Sequence, residues 1–66
     1  MNFDELKKLA EEGMPEAQYN LGLMYSLGKD VPKDDQAAIK WCQLAAEQGF
    51  AEAQTNLGLM YGKGQG

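Results

Sequence analysis

Ala17-Gln18-Tyr19-Asn20-Leu21-Gly22-Leu23-Met24-Tyr25 and Ala53-Gln54-Thr55-Asn56-Leu57-Gly58-Leu59-Met60-Tyr61 are the same nine residues with one exchange, Tyr19 for Thr55. The offset is 36 residues, from position 17 to position 53, and a looser match extends from Ala10/Ala46 to Gly28/Gly64. Self-similarity at a fixed period of about 20–50 residues is the signature of stacked repeats, in which each unit buries its apolar face against the next. Within the first copy Ala17, Leu21, Met24 and Tyr25 recur three and four apart, which predicts a helix with one core-facing stripe. Gly22 and Gly58 occupy the same place in each copy, where a helical glycine costs about 1 kcal/mol relative to alanine. Their recurrence predicts a neighbouring helix so close that a Cβ would not fit at either position.

Outward from this stretch the punctuation is that of short helices. Asn2 with Glu5 three residues on has capping-box spacing, and Phe3, Leu6, Leu9 and Ala10 form an apolar stripe with Lys7, Lys8, Glu11 and Glu12 turned to water. Gly13 is a left-handed C-cap candidate, and Pro15 opens the next helix in its first turn. Gly28 to Lys33 is a loop in which Pro32 keeps Val31 extended. Asp34 or Asp35 caps a helix that runs to about Gln48, carries Ala38, Trp41, Cys42 and Ala45 on one face, and stops at Gly49. Ala51 to about Tyr61 repeats the second helix, and Gly62 to Gly66 repeats the loop. The sum is an all-α chain of four antiparallel helices without strands. Trp41 is expected to lie largely buried against the repeated helices.

Composition narrows the function. Ten Asp and Glu stand against six Lys, with no Arg and no His, for a net charge of −4. Nucleic acid is a poor partner, because Lys and Arg must neutralise phosphates. No run approaches the roughly 18 apolar residues of a membrane span. Cys42 is alone, so no intrachain disulfide forms. The acidic start Met1-Asn2-Phe3-Asp4-Glu5 lacks the basic and apolar regions of a signal peptide, so the expected setting is cytoplasmic. The acidic pairs Asp4/Glu5, Glu11/Glu12 and Asp34/Asp35 fall at helix ends or on polar faces, where capping and solvation account for them. Gly62-Lys63-Gly64-Gln65-Gly66 lacks phosphate-loop spacing and follows a helix. Asp30, Asp34 and Asp35 lack calcium-loop spacing. Without His, Cys42 reads as a small core residue and not as a nucleophile. No catalytic residue, metal ligand or cofactor is expected.

The string Ala38-x-x-Trp41-x-x-x-Ala45-Ala46-x-Gln48-Gly49, followed by Ala53-x-x-x-Leu57-Gly58-x-x-Tyr61-x-x-Gly64-x-Gly66, resembles the Sel-one-like repeat, a longer relative of the tetratricopeptide repeat. The connector Gly28-x-x-Val31-x-x-Asp34-x-x-x-Ala38 is similar as well. The resemblance covers nearly the whole chain. It implies an α/α solenoid that acts as an adaptor or scaffold in protein complexes and is not an enzyme. Asp30 departs from the pattern by standing where the family prefers a glycine that Gly66 retains, but Asp tolerates the left-handed backbone better than most residues. Residues 3–13 align with 39–49, with Glu5 for Trp41 and Leu6 for Cys42, as in a cap or a worn repeat helix. The organisation read from the resemblance is a capping helix over 2–13, one full repeat over 14–49 and a truncated repeat over 50–66, fewer than two full units.

The resemblance also places the first helix of each unit along a concave surface. Glu16, Asn20, Leu23 and Leu27, with their copies Glu52, Asn56, Leu59 and Lys63, turn away from the Ala17–Leu21–Tyr25 stripe and become the expected face for a peptide or protein partner. Asn20 and Asn56 carry amides able to clamp a peptide backbone, or to satisfy a neighbouring loop or helix instead. The alternative is a self-associating structural unit without an external ligand. With a helix missing after Gly66, the stripe Ala53, Leu57, Met60 and Tyr61 is only partly covered, which predicts a homodimer or larger homo-oligomer with residues 51–61 near its interface.

Overall fold

A computed structural model describes the backbone of residues 2–62 and the side chains of residues 2–59. The chain forms four helices, α1 (Phe3–Glu11), α2 (Pro15–Leu27), α3 (Asp35–Glu47) and α4 (Ala51–Gly62), with no strand among the described residues. Each packs on its neighbour in sequence: α1 on α2, α2 on α3, α3 on α4. The Cα envelope measures 32 × 26 × 14 Å. Its short axis fits two helix layers at an interaxial spacing of about 8–10 Å. No described helix is long and apolar enough to cross a membrane.

The helix boundaries follow from local chemistry. The Asn2 side chain accepts the Glu5 N–H at 2.8 Å, and the Asp34 carboxylate accepts the Ala37 N–H at 3.1 Å, so two otherwise orphaned first-turn donors are satisfied. Helices α1 and α3 end in the same way. Gly13 and Gly49 take φ of +101° and +87°, the glycine N–H bonds to Ala10 or Ala46 O, and the next N–H (Met14, Phe50) returns to Leu9 or Ala45 O. This is the Schellman closure, repeated 36 residues apart. Gly28 ends α2 at φ +69°, and Asp30 sits at φ +65°, the left-handed backbone expected of it. The Asp34 N–H reaches back to Tyr25 O at 3.0 Å and pins the 28–34 loop to α2. The exposed Lys33–Asp35 pair contributes about 0–1 kcal/mol and is secondary.

The core is built mainly of small side chains. Leu6, Ala10, Ala17, Leu21, Ala38, Cys42, Ala45 and Ala53 are buried, and Phe3, Leu9, Met24, Tyr25 and Trp41 pack around the cluster centred on Leu21. Alanines at most of these places let the helices approach closely. Gly22 carries this furthest: a Cβ there would lie 2.7 Å from Cys42 Sγ and 3.0 Å from Ala38 O. Trp41 is partly buried and packs against the Leu21 cluster, as a side chain on the edge of the core and not at its centre. The inward stripe of α3 is Ala38, Cys42 and Ala45, and Trp41, one residue off that stripe, lies on its shoulder. Phe3 meets Tyr25 edge to face at 6.1 Å and closes the α1–α2 end.

A glutamine network joins the helix ends. The buried Gln18 amide donates to Ala10 O at 3.1 Å, and Gln48 Nε2 donates to Gln18 Oε1 and to Gly13 O, each at 2.9 Å. Thus the end of α1, the start of α2 and the end of α3 share one polar knot in which buried groups are paired. Gln54 repeats the first of these bonds, donating to Ala46 O at 3.1 Å.

Candidate functional site

Between α2 and α4 lies a groove of about 270 Å³ lined by Tyr19, Ala51, Glu52, Thr55, Asn56 and Leu59. Its wall on the α2 side is set by Tyr19, whose ring packs on Phe50 at 5.4 Å, so the residue just before α4 fixes the tyrosine. The floor is mostly apolar. Glu52 is exposed and supplies the carboxylate, and Leu59 is 57% exposed. An open leucine side chain beside a tyrosine ring and a carboxylate can hold an apolar group next to a cation. Among the described residues no cluster of side chains could hold a metal ion.

Asn56 is half-buried and donates through Nδ2 to Cys42 Sγ at 3.6 Å. Part of its donor capacity is therefore spent inside the protein. Burial pushes the Cys42 thiol up from its ordinary range, and the Asn56 hydrogen bond opposes this more weakly. Cys42 is a protonated packing residue between α2 and α4 and does not face the groove.

Of the sequence-derived partner face, Glu52, Asn56 and Leu59 line this groove. Glu16, Asn20, Leu23 and Leu27 do not: Glu16 and Asn20 are exposed on α2, Leu23 is half-buried, and Leu27 is 72% exposed near the end of α2. Neighbouring repeats contribute different rims of their equivalent helices to one groove, so the two copies do not enter it symmetrically. The paired Asn20/Asn56 clamp is accordingly not assembled in it. Lys63 lies outside the described residues. Tyr19, Ala51 and Thr55 were missed, although the sequence held a signal for two of them. Tyr19 and Thr55 are the single difference between the nine-residue copies, and packing fixes the positions around them while leaving a groove-facing position free to vary.

The residues of the self-association stripe differ in exposure. Ala53 is fully buried, on the helix that packs against α3. Leu57 is half-buried, and the side chains of Met60 and Tyr61 lie outside the described ones.

The Sel1 repeat family model matches residues 15–50 and 51–66, most of the chain. The chain belongs to the Sel1 repeat family. Its four helices, stacked in sequence and closed by the same turn 36 residues apart, are the helical solenoid of that family. Sel1 repeats generally serve as protein–protein interaction modules. No curated protein matches the chain.

Proposed function

We propose that this Sel1 repeat chain binds a segment of a protein partner in the α2–α4 groove and acts as a scaffold without catalysing a reaction. The observation that carries this is the groove itself: Tyr19, fixed by Phe50, faces Thr55, Asn56 and the open Leu59, with Glu52 at the rim. The chemistry favours a peptide that presents an apolar side chain beside a Lys or Arg, with Glu52 and the net charge of −4 attracting the cation. A catalytic role has little support from a chain without His and with its one thiol buried. Asn56 keeps its Oδ1 to accept a peptide N–H, a smaller part than a bidentate clamp.

The test is a displayed peptide library panned against the chain. Selected peptides should be enriched in an apolar residue next to a basic one, and should lose at least tenfold in affinity on Leu59→Glu, a substitution at an exposed position that leaves helicity unchanged. Peptides that bind the Leu59→Glu protein equally well would place the binding surface elsewhere.

A further inference from the structure

Asn20 and Asn56 are the same residue of the repeat in different settings. Asn56 lines the α2–α4 groove and is half-buried, with its Nδ2 on Cys42 Sγ at 3.6 Å. Cys42 is fully buried, and its sulfur rests on the α2 backbone at Gly22, where a Cβ would stand 2.7 Å from Sγ. On α1 the residue equivalent to Cys42 is Leu6, which offers no acceptor, and Asn20 is exposed. A carboxamide has a donor end and an acceptor end, so a sulfur that takes the donor end turns Oδ1 the other way. Glu52, Asn56 and Leu59 follow one another along one face of α4. At 1.5 Å of rise per residue, Asn56 stands about 6 Å along the axis from Glu52 and about 4.5 Å from Leu59. A segment whose apolar side chain meets Leu59 and whose neighbouring cation reaches Glu52 carries its main chain past Asn56.

Resting on the groove reading above, we propose that Cys42 is a positioning residue for that groove: by holding Asn56 Nδ2 it presents Oδ1 as a fixed acceptor for one main-chain N–H of the bound segment. The class of partner narrows accordingly. The interior N–H groups of a helix are already spent on carbonyls four residues back, and proline has none. The groove therefore takes an extended segment with a residue other than proline where it crosses Asn56. Because the amide is aimed before binding, the contact costs no further ordering of that side chain. Cys42 touches no ligand and acts only through Asn56.

The probe is the tightest peptide from the panned library, together with copies in which one backbone amide at a time is N-methylated. In the parent, methylation at the residue that crosses Asn56 should cost about tenfold in affinity, read by calorimetry. Cys42→Ala should cut that cost to about threefold or less, and Cys42→Ser, whose hydroxyl can take the Asn56 donor, should restore it. A Cys42 that only packs would instead weaken every member of the series by the same factor and leave the methylation cost unchanged. In the peptide-free protein, NMR should show the Asn56 side-chain amide protons exchanging with solvent more slowly in the parent and in Cys42→Ser than in Cys42→Ala. A methylation cost that survives Cys42→Ala, or an amide exchange that Cys42→Ala does not speed up, would overturn the positioning role. Peptides that depend on Leu59 but are indifferent to methylation at every position would overturn the main-chain contact and leave the groove standing. Peptides indifferent to Leu59→Glu would remove both.

Discussion

Among the described residues helix α2 lies between two helices and α4 beside one, and nearly identical residues behave differently in the two. Leu21 is fully buried, while its copy Leu57 is half-covered. Gly22 is pressed against Cys42 and Ala38, while Gly58 is open. Gln18 is buried in a three-residue amide network, while Gln54 is exposed. Ala17 and Ala53 alone are equally buried, because each faces the preceding helix, α1 or α3. A repeated sequence therefore encodes two half-interfaces per helix, one toward the preceding unit and one toward the following, and among the described residues only the first is filled on α4. A residue's contribution to stability depends on which half it serves.

The largest contrast should come from leucine truncation. Leu21→Ala is expected to destabilise by about 2–5 kcal/mol, and Leu57→Ala by roughly half of that, because its site is already partly solvated. Urea melts of both variants check this. Equal losses would mean that α4 is as enclosed in solution as α2.

The glycines should differ in sign. Gly22→Ala forces a Cβ against Cys42 Sγ and the Ala38 carbonyl, an overpacking cost of about 1–3 kcal/mol that outweighs the gain in helix propensity. Gly58→Ala meets nothing among the described residues and should stabilise by up to about 1 kcal/mol. The sequence expectation of close packing at both positions thus holds at Gly22 and fails at Gly58. A destabilised Gly58→Ala protein would show that something covers α4.

The glutamine pair gives a smaller contrast. Gln18→Ala strips the buried Ala10 carbonyl and Gln48 of a partner, at about 1–3 kcal/mol. Gln54→Ala removes an exposed bond and should change stability by about 0.5 kcal/mol or less. Thermal melts of the two variants, compared with the parent, measure the difference.

The smallest effect is alkaline. Cys42 fills the roof over Gly22, and its folded-state pKa is raised from the ordinary 9.0 by burial. The unfolded thiol therefore ionises first as pH rises. The contribution of the protonated thiol is fully present below that value and is lost above it. The parent should lose stability with a steeper slope above pH 9.0 than Cys42→Ala. Parallel slopes would mean that the thiol is hydrated.

Sequence alone determined what is local or periodic. The 36-residue repeat, the caps at Asn2 and Asp34, the glycine stops at 13, 28 and 49, and the left-handed Asp30 all follow from short-range sterics and hydrogen bonding, which neighbouring residues dictate. About half of the groove was legible for the same reason, since Glu52, Asn56 and Leu59 share one helical face. Tertiary structure decided what depends on a helix that is distant in sequence. It drew Tyr19 and Phe50 together across α3 and left Asn20 outside the groove. It placed Cys42 and not Trp41 at the centre of the α2–α3 contact, and made Gly22 a close approach and Gly58 an open shelf. Identical residues carry identical local preferences, but burial belongs to the pair of surfaces that meet, and a helix cannot specify by itself whether its second surface is met.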